Sequence, residues 1–206
     1  EEKWSFRIKV TGGGSIMGLK SFSIQSPHTR SFMHEWFMHK LYEQEDVLTT
    51  RYTFVPVNIN GLEMGVYALE EHFDKQLVES KNRREGPILK FNEEGVWEPR
   101  LKDPKAYHNL PYFIASEVIP FKQNRTLKNP TLKQYFRTAQ KLLLRYKNFD
   151  KEIDEIFDLD RLAKYYALTD VANTDHTLIW HNLRYYYNPV SRSIEPIAYD
   201  CYPESV

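Results

Sequence analysis

Three polar side chains near the C-terminal end, Asp175, Asn182 and Asp200, have the types and the order that metal-assisted phosphoryl transfer uses. In that chemistry one carboxylate orients or deprotonates the attacking hydroxyl, while a second carboxylate and an amide hold a hard divalent cation against the phosphates. Asn173-Thr174-Asp175-His176 leaves a helical pattern, the apolar Leu178-Ile179-Trp180 follows, and Asn182 opens a β-rich run. That run turns near Asn188 to Ser193 and returns through Ile197-Ala198-Tyr199 to Asp200. A turn centred there pairs residues whose numbers total about 381, which sets Asn182 beside Asp200 at the open end of the hairpin. Asp175, just before, is expected to face the same cleft, and without a cation the two carboxylates would repel. The step from Asp175 to Asn182 is 7 and from Asn182 to Asp200 is 18, both longer than in the H-R-D-x-x-x-x-N arrangement of ordinary protein kinases. Asp and Asn at helix ends and hairpin edges also cap and turn, so the triplet alone leaves a purely structural reading open.

Other residues could join such a site. Thr11-Gly12-Gly13-Gly14-Ser15-Ile16-Met17-Gly18 lies between two strand-like runs, and Gly13 and Gly14 could let backbone cover a nucleotide's phosphates. It is not a clean G-x-G-x-x-G, there is no P-loop, and glycine clusters between strands are commonly only turns. Lys90, in Pro87-Ile88-Leu89-Lys90-Phe91, could neutralise phosphate charge with Glu71 as its partner; the alternative is an edge lysine whose head reaches water. His72, His176 and His181 with Asp175 and Asp200 offer the ligand types of a metallohydrolase, but His176 and His181 are five apart and no H-E-x-x-H occurs. Acyl transfer is disfavoured, because no G-x-S-x-G is present and Cys201 has no nucleophile signature.

The elements that must position these residues read as α+β. Trp4 to Val10 alternates apolar and polar, a half-buried strand, and Leu19 to Gln25 repeats the pattern after the glycine loop. Ser31 is placed to cap a helix with Met33, Phe37 and Leu41 on its apolar face. Asn60-Gly61 between two β-rich runs is a strong hairpin signal, and Pro56 puts the first of those strands at an edge or a bulge. A short helix over 73–80 and a strand over 87–92 follow. Residues 92–130 hold five of the 11 prolines and read as a hinge with a helix near 111–118. Leu132, Phe136, Ala139, Leu143 and Tyr146 then keep helical spacing, as do Leu159, Leu162 and Tyr166. The expected organisation is a β-rich lobe over 1–92, a hinge over 93–130, and a helical lobe with the hairpin over 131–206.

Composition bounds the partners. With 28 basic and 28 acidic residues among 206, the chain lacks the overall charge of a nucleic-acid binder. No apolar run approaches the roughly 18 residues of a membrane span. The single Cys201 excludes an internal disulfide framework and a multi-cysteine zinc site. The chain opens Glu1-Glu2-Lys3-Trp4 without Met, as in a processed product or a piece of a longer protein.

Several ordered motifs carry a resemblance to one family. Val57-Asn58-Ile59-Asn60-Gly61 through Gly65-Val66-Tyr67-Ala68-Leu69-Glu70-Glu71-His72-Phe73-Asp74 resembles the "iNG…G-x-Y-x-l-x-E-x-x-D" stretch of the CotH family, atypical kinase-like proteins first known from bacterial spore coats. Ile88-Leu89-Lys90 is similar to its "L-Y-K" strand. Asn173-Thr174-Asp175, His181 to Tyr187 and Pro196 to Asp200 are similar to its C-terminal motifs, and Phe6 to Val10 and Gly18 to Phe22 also fit. The resemblance implies a protein-kinase-like fold, ATP with Mg2+ or Mn2+, and phosphorylation of Ser or Thr in a protein substrate at a coat, cell surface or other extracytoplasmic location. It implies Asp175 as the catalytic aspartate, Asn182 and Asp200 as metal ligands, and Lys90 and Glu71 at the nucleotide, although here the lysine follows the glutamate. Tyr202 stands where the family often has a second acid, and the family continues with a helical lobe past this point, so a partial or reduced lobe is expected. A non-catalytic binding module on the same fold is the main alternative, and a metal-dependent hydrolase the second.

Overall fold

The computed structural model describes residues 3–104, 110–149 and 152–202. Strand β1 (Phe6–Lys9) runs antiparallel to β2 (Ser21–Gln25), with Phe6 opposite Ile24 and Lys9 opposite Ser21. The intervening loop turns on Gly12 and Gly13, whose φ of 71° and 81° favour residues without a Cβ. A single 3-10 turn, Pro27–Arg30, leads to helix α1 (Met33–Gln44) and the two-residue strand β3 (Leu48–Thr49). Strands β4 (Tyr52–Ile59) and β5 (Leu62–Glu71) form the hairpin around Asn60-Gly61, both at positive φ. The first sheet has the order β1-β2-β5-β4. Pro56 therefore sits on an edge strand, where its missing donor is tolerated, and the register shifts between Val57 and Asn58. Leu19, Phe22, Ile24, Tyr67 and Leu69 bury its inner face.

Helix α2 (Lys75–Glu79), capped by the Asp74 carboxylate, connects to β6 (Ile88–Phe91). Residues 93–130 contribute helices α3 (Glu94–Lys102) and α4 (Leu110–Ala115), strand β7 (Val118–Pro120) and helix α5 (Gln123–Lys128). Helix α6 (Pro130–Lys147) has Asn129 as N-cap and Pro at its first position, a favoured start. Helix α7 (Leu159–Val171) precedes a 3-10 turn at Asp175–Leu178 and the hairpin β8 (Arg184–Asn188) and β9 (Ser193–Ala198). The second sheet has the order β3-β9-β8-β6-β7, with β3 parallel to β9. In the hairpin Arg184 faces Ile197 and Asn188 faces Ser193, the register that the turn position predicts. The second sheet thus draws β6 and β7 from before the helices and β8 and β9 from after them. α6 buries Leu132, Phe136, Ala139 and Leu143, and Phe136 and Leu143 join a core with Leu89, Phe91 and Tyr185. Truncating a buried aromatic of this kind costs roughly 3–5 kcal/mol.

Two helices present a different face from the one their apolar spacing suggests. In α1, Met33 and Phe37 are more than half exposed, and the buried residues are Glu35, Met38, His39 and Tyr42. Met38 and Tyr42 form a second i, i+4 stripe, and Glu35 and His39 are tolerated inside because they hydrogen-bond to each other and to backbone. Ser31 does not cap this helix; Phe32 holds the cap position without a side-chain bond. In α7, Leu162 packs against the core as the spacing suggests, but Leu159 and Tyr166 stay about half exposed, and the fully buried residues are Tyr165 and Thr169. The Tyr165 hydroxyl lies 3.0 Å from Thr177 Oγ1 and so ties the helix to the Asp175–Leu178 turn.

Candidate functional site

Two adjoining cavities lie against the carboxyl ends of β5 and β9. The larger, about 750 Å³, is lined by β1 and β2 on one side and by Glu70 to Asp74, Lys90, Phe121 and Lys122 on the other. The smaller, about 340 Å³, is lined by Trp97, Arg100, His176, His181, Asn182, Asp200 and Tyr202. Glu93, Arg184 and Tyr199 line both, so they form the shared wall. The larger volume falls in the range of small-molecule sites. Its cationic side chains are Arg7, Lys9, Lys20, Lys90, Lys122 and Arg184, against the acids Glu70, Glu71, Asp74 and Glu93. That balance suits a polyanion.

Lys90 and Glu71 both line the larger cavity, but they are not partners. Lys90 Nζ donates to Glu93 Oε1 at 2.8 Å. Glu71 accepts from Arg51 through Nε at 2.9 Å and Nη2 at 2.6 Å, and also from the Arg51 backbone N–H at 3.1 Å. The expected Lys90–Glu71 pair is therefore corrected. Glu71 ends β5, where the β4–β5 hairpin brings the start of β4 alongside, whereas Lys90 belongs to the other sheet. His72 extends β5 into the cavity, its ring nitrogens 2.5 Å and 2.8 Å from the Ser21 and Ser23 hydroxyls. Burial, with Arg7 and Lys122 adding to it, lowers the His72 pKa to about 4, so the ring is neutral at pH 7. Gly13 and Gly14 are exposed and line neither cavity, although Val10 and Lys20, just outside the loop, line the larger one.

Asn182 and Asp200 meet in the smaller cavity, and both are buried. Asn182 Nδ2 donates to the His176 carbonyl at 3.0 Å, which fixes the plane of the amide. Asp200 Oδ2 is 3.3 Å from His176 Nε2, and Arg30 forms an ion pair with the same carboxylate. A carboxylate and an amide oxygen are hard donors of the kind that magnesium or manganese takes, so the residues fit such an ion. Tyr202, in place of a second acid, stacks on His176 with ring centroids 4.1 Å apart and shares a 2.9 Å hydrogen bond with Nε2. Asp175 does not enter this cavity. It is exposed and lines a separate depression with Tyr166, Ala167, Asp170 and Leu178, although its neighbour His176 touches Asp200. The 3-10 turn sends the two consecutive side chains to different surfaces.

A family model described as CotH kinase protein matches residues 1–201. The chain belongs to the CotH kinase family. A search of curated proteins finds no match. Several residues around these cavities carry no sequence signal of their own. Arg30 also donates to Tyr199 Oη at 2.9 Å and lies 3.8 Å from Glu70. Burial pushes the Glu70 carboxyl up, against the pull of Arg30. Behind Asp200, its backbone N–H donates to Glu35 Oε1 at 3.1 Å, and that oxygen is 2.8 Å from His39 Nε2. Glu35, His39 and Cys201 are the one group of three metal-ligand types gathered among the described residues. The 2.8 Å between nitrogen and oxygen is a hydrogen-bond distance, shorter than two ligands of one ion usually keep.

Proposed function

We propose that this CotH-family chain binds ATP with a divalent metal and transfers the γ-phosphate to Ser or Thr hydroxyls of a protein substrate, by family analogy a coat or surface protein. The observation that carries the reading is the pair of contiguous cavities, with a cation-rich chamber bearing Lys90 on one side of a shared wall and the Asn182–Asp200 pair on the other. In this reading the chamber between the sheets takes the nucleotide, and Lys90 sets its phosphates at the wall formed by Arg184 and Tyr199. Asp200 and Asn182 would hold magnesium or manganese, which neutralises charge developing on the phosphate oxygens. His176 and Arg30 orient the Asp200 carboxylate toward the cavity. Phosphoryl transfer through a loose transition state asks mainly for positioning and charge stabilisation. The acceptor hydroxyl would approach along the Asp175–Leu178 turn, and Asp175 would take its proton once that turn carries the carboxylate from its separate depression to the Asp200 side.

The test is a calorimetric titration of ATP with and without Mg2+ or Mn2+, followed by transfer of radiolabelled phosphate to a generic protein acceptor. Metal-dependent ATP binding with transfer is expected. Binding of neither ligand would leave a non-catalytic module, and retention of a transition metal without nucleotide affinity would favour a hydrolase.

A further inference from the structure

Arg184 is 7% exposed, yet among the described residues no carboxylate pairs with it. Its Nη1 donates to the carbonyls of His181 at 2.6 Å and Leu183 at 3.1 Å, and its Nε has no partner. Three rings surround the guanidinium, Tyr199 at 5.2 Å and Phe73 and Phe121 at 5.6 Å. The nearby acids are engaged elsewhere, Glu93 with Lys90 and Glu70 with Arg30 and Gln25. A buried cation with only backbone carbonyls and aromatic faces is costly to keep, and burial lowers its proton affinity. Arg184 is also in the wall that both cavities share. A guanidinium presents its donors as a planar fork that fits two oxygens of one phosphate.

We infer that Arg184 is an anion-binding residue, the anchor that grips a phosphate group where the two cavities meet. This rests on the proposed nucleotide reading and narrows it, because it assigns the phosphate contact to Arg184 rather than to the glycine loop. The phosphate could belong to a nucleoside triphosphate or to a phosphorylated side chain, and the occupant argued for is the nucleotide, since the larger, cation-rich chamber adjoins the residue.

The experiment compares the full chain with Arg184→Met and Arg184→Lys, titrated calorimetrically without metal against tripolyphosphate, ATP, adenosine and phosphoserine. Arg184→Met should bind tripolyphosphate and ATP at least tenfold more weakly, with adenosine unchanged, and Arg184→Lys should fall between because it offers charge without the fork. At one tripolyphosphate concentration the melting temperature of the parent should rise more than that of Arg184→Met. In the absence of anion Arg184→Met should melt at or above the parent temperature, since an unpaired buried charge has been replaced by an apolar side chain. Equal tripolyphosphate affinity in the parent and Arg184→Met overturns the assignment, as does a large loss of anion-free stability in the variant. Arg184-dependent binding of phosphoserine alone overturns the nucleotide as occupant. Arg184-dependent binding of tripolyphosphate in a protein that transfers no phosphate keeps the anion site and removes the kinase reading, so the two can fail separately.

Discussion

Asp200→Asn probes both the chemistry and the packing of the site through one side-chain atom. The backbone at Asp200 has φ of 61°, a left-handed conformation that Asn also tolerates, so the substitution keeps the turn and removes one negative charge. An amide oxygen holds a hard divalent ion far less well than a carboxylate. Loss of that ligand should lower phosphate transfer on the order of 100-fold or more, about 3 kcal/mol of transition-state stabilisation. For stability the sequence alone suggests a gain, through relief of repulsion between Asp175 and Asp200. The structure reverses the sign, because Asp175 opens onto another depression and Asp200 is the ion-pair partner of Arg30. The variant leaves the largely buried Arg30 with Tyr199 at 2.9 Å and with Glu70 only at 3.8 Å. Removing one partner of such a pair costs roughly 1–3 kcal/mol, which for a chain of this size lowers the melting temperature by about 3–10 °C. Radiolabelled transfer and thermal melts of both proteins are the assays. Equal transfer by the variant and an active parent would refute the metal-ligand role, and an unchanged or raised melting temperature would refute the Arg30 argument.

Further outcomes follow from the same geometry. Lys90→Met should weaken ATP binding about tenfold in calorimetry with little change in melting temperature, because the lysine's visible partner, Glu93, lies near the cavity surface. Asp175→Asn should lower turnover by roughly 10²-fold or more at unchanged ATP affinity, while His176→Asn has a smaller effect; the opposite order would move the proton-accepting role to His176. His72 carries a proton in the unfolded chain below about pH 6.5 and in the folded chain only below about 4, so folded-state stability falls as the pH drops through that interval. His72→Gln should therefore lose less melting temperature than the parent between pH 7 and pH 5, a difference read from paired melts.

What was legible in the sequence is what depends on local chemistry. The Asn60-Gly61 hairpin needs two residues at positive φ, the Pro56 edge follows from a missing donor, and the register of the last hairpin follows from its turn. Asn182 and Asp200 came together for that last reason. The pairing within the site was not legible, because residue type and spacing do not say which of several neighbouring charges meet. Glu71 is bound to Arg51 by the start of β4, and Lys90 to Glu93, a residue three positions on in a stretch that reads as linker. Asp175 and His176 are consecutive, and only the pitch of a 3-10 turn decides which of them faces Asp200. The face of α1 was also hidden, because its buried side carries a carboxylate and an imidazole that no hydrophobic pattern marks.

That polar face explains how one end of the site is kept in place. The Thr50 carbonyl, which can only accept, lies 2.7 Å from His39 Nδ1, so Nδ1 carries a hydrogen, and the 2.8 Å bond between Nε2 and Glu35 Oε1 takes a second proton shared between ring and carboxyl. Glu35 in turn receives the backbone N–H of Asp200, 165 residues further along the chain. Thr49, beside the same histidine, pairs in β3 with Ala198 of β9, so strand pairing and side-chain bonds pull on the same segment. A buried carboxylate in a helix is expensive, and Glu35 offsets that only in part: Oε1 takes both bonds, one leading through the histidine to β3 and one to the Asp200 backbone amide, while Oε2 has no hydrogen-bond partner among the described residues. Through these bonds Glu35 and His39 hold Asp200, two residues beyond the end of β9. The larger cavity is held differently: Arg51 fixes Glu71, Ser21 and Ser23 meet the His72 ring, and its walls come from both sheets. The structure therefore joins an end held through α1 and β3 to an end whose walls belong to different sheets, and Arg184 and Tyr199 stand where the two meet.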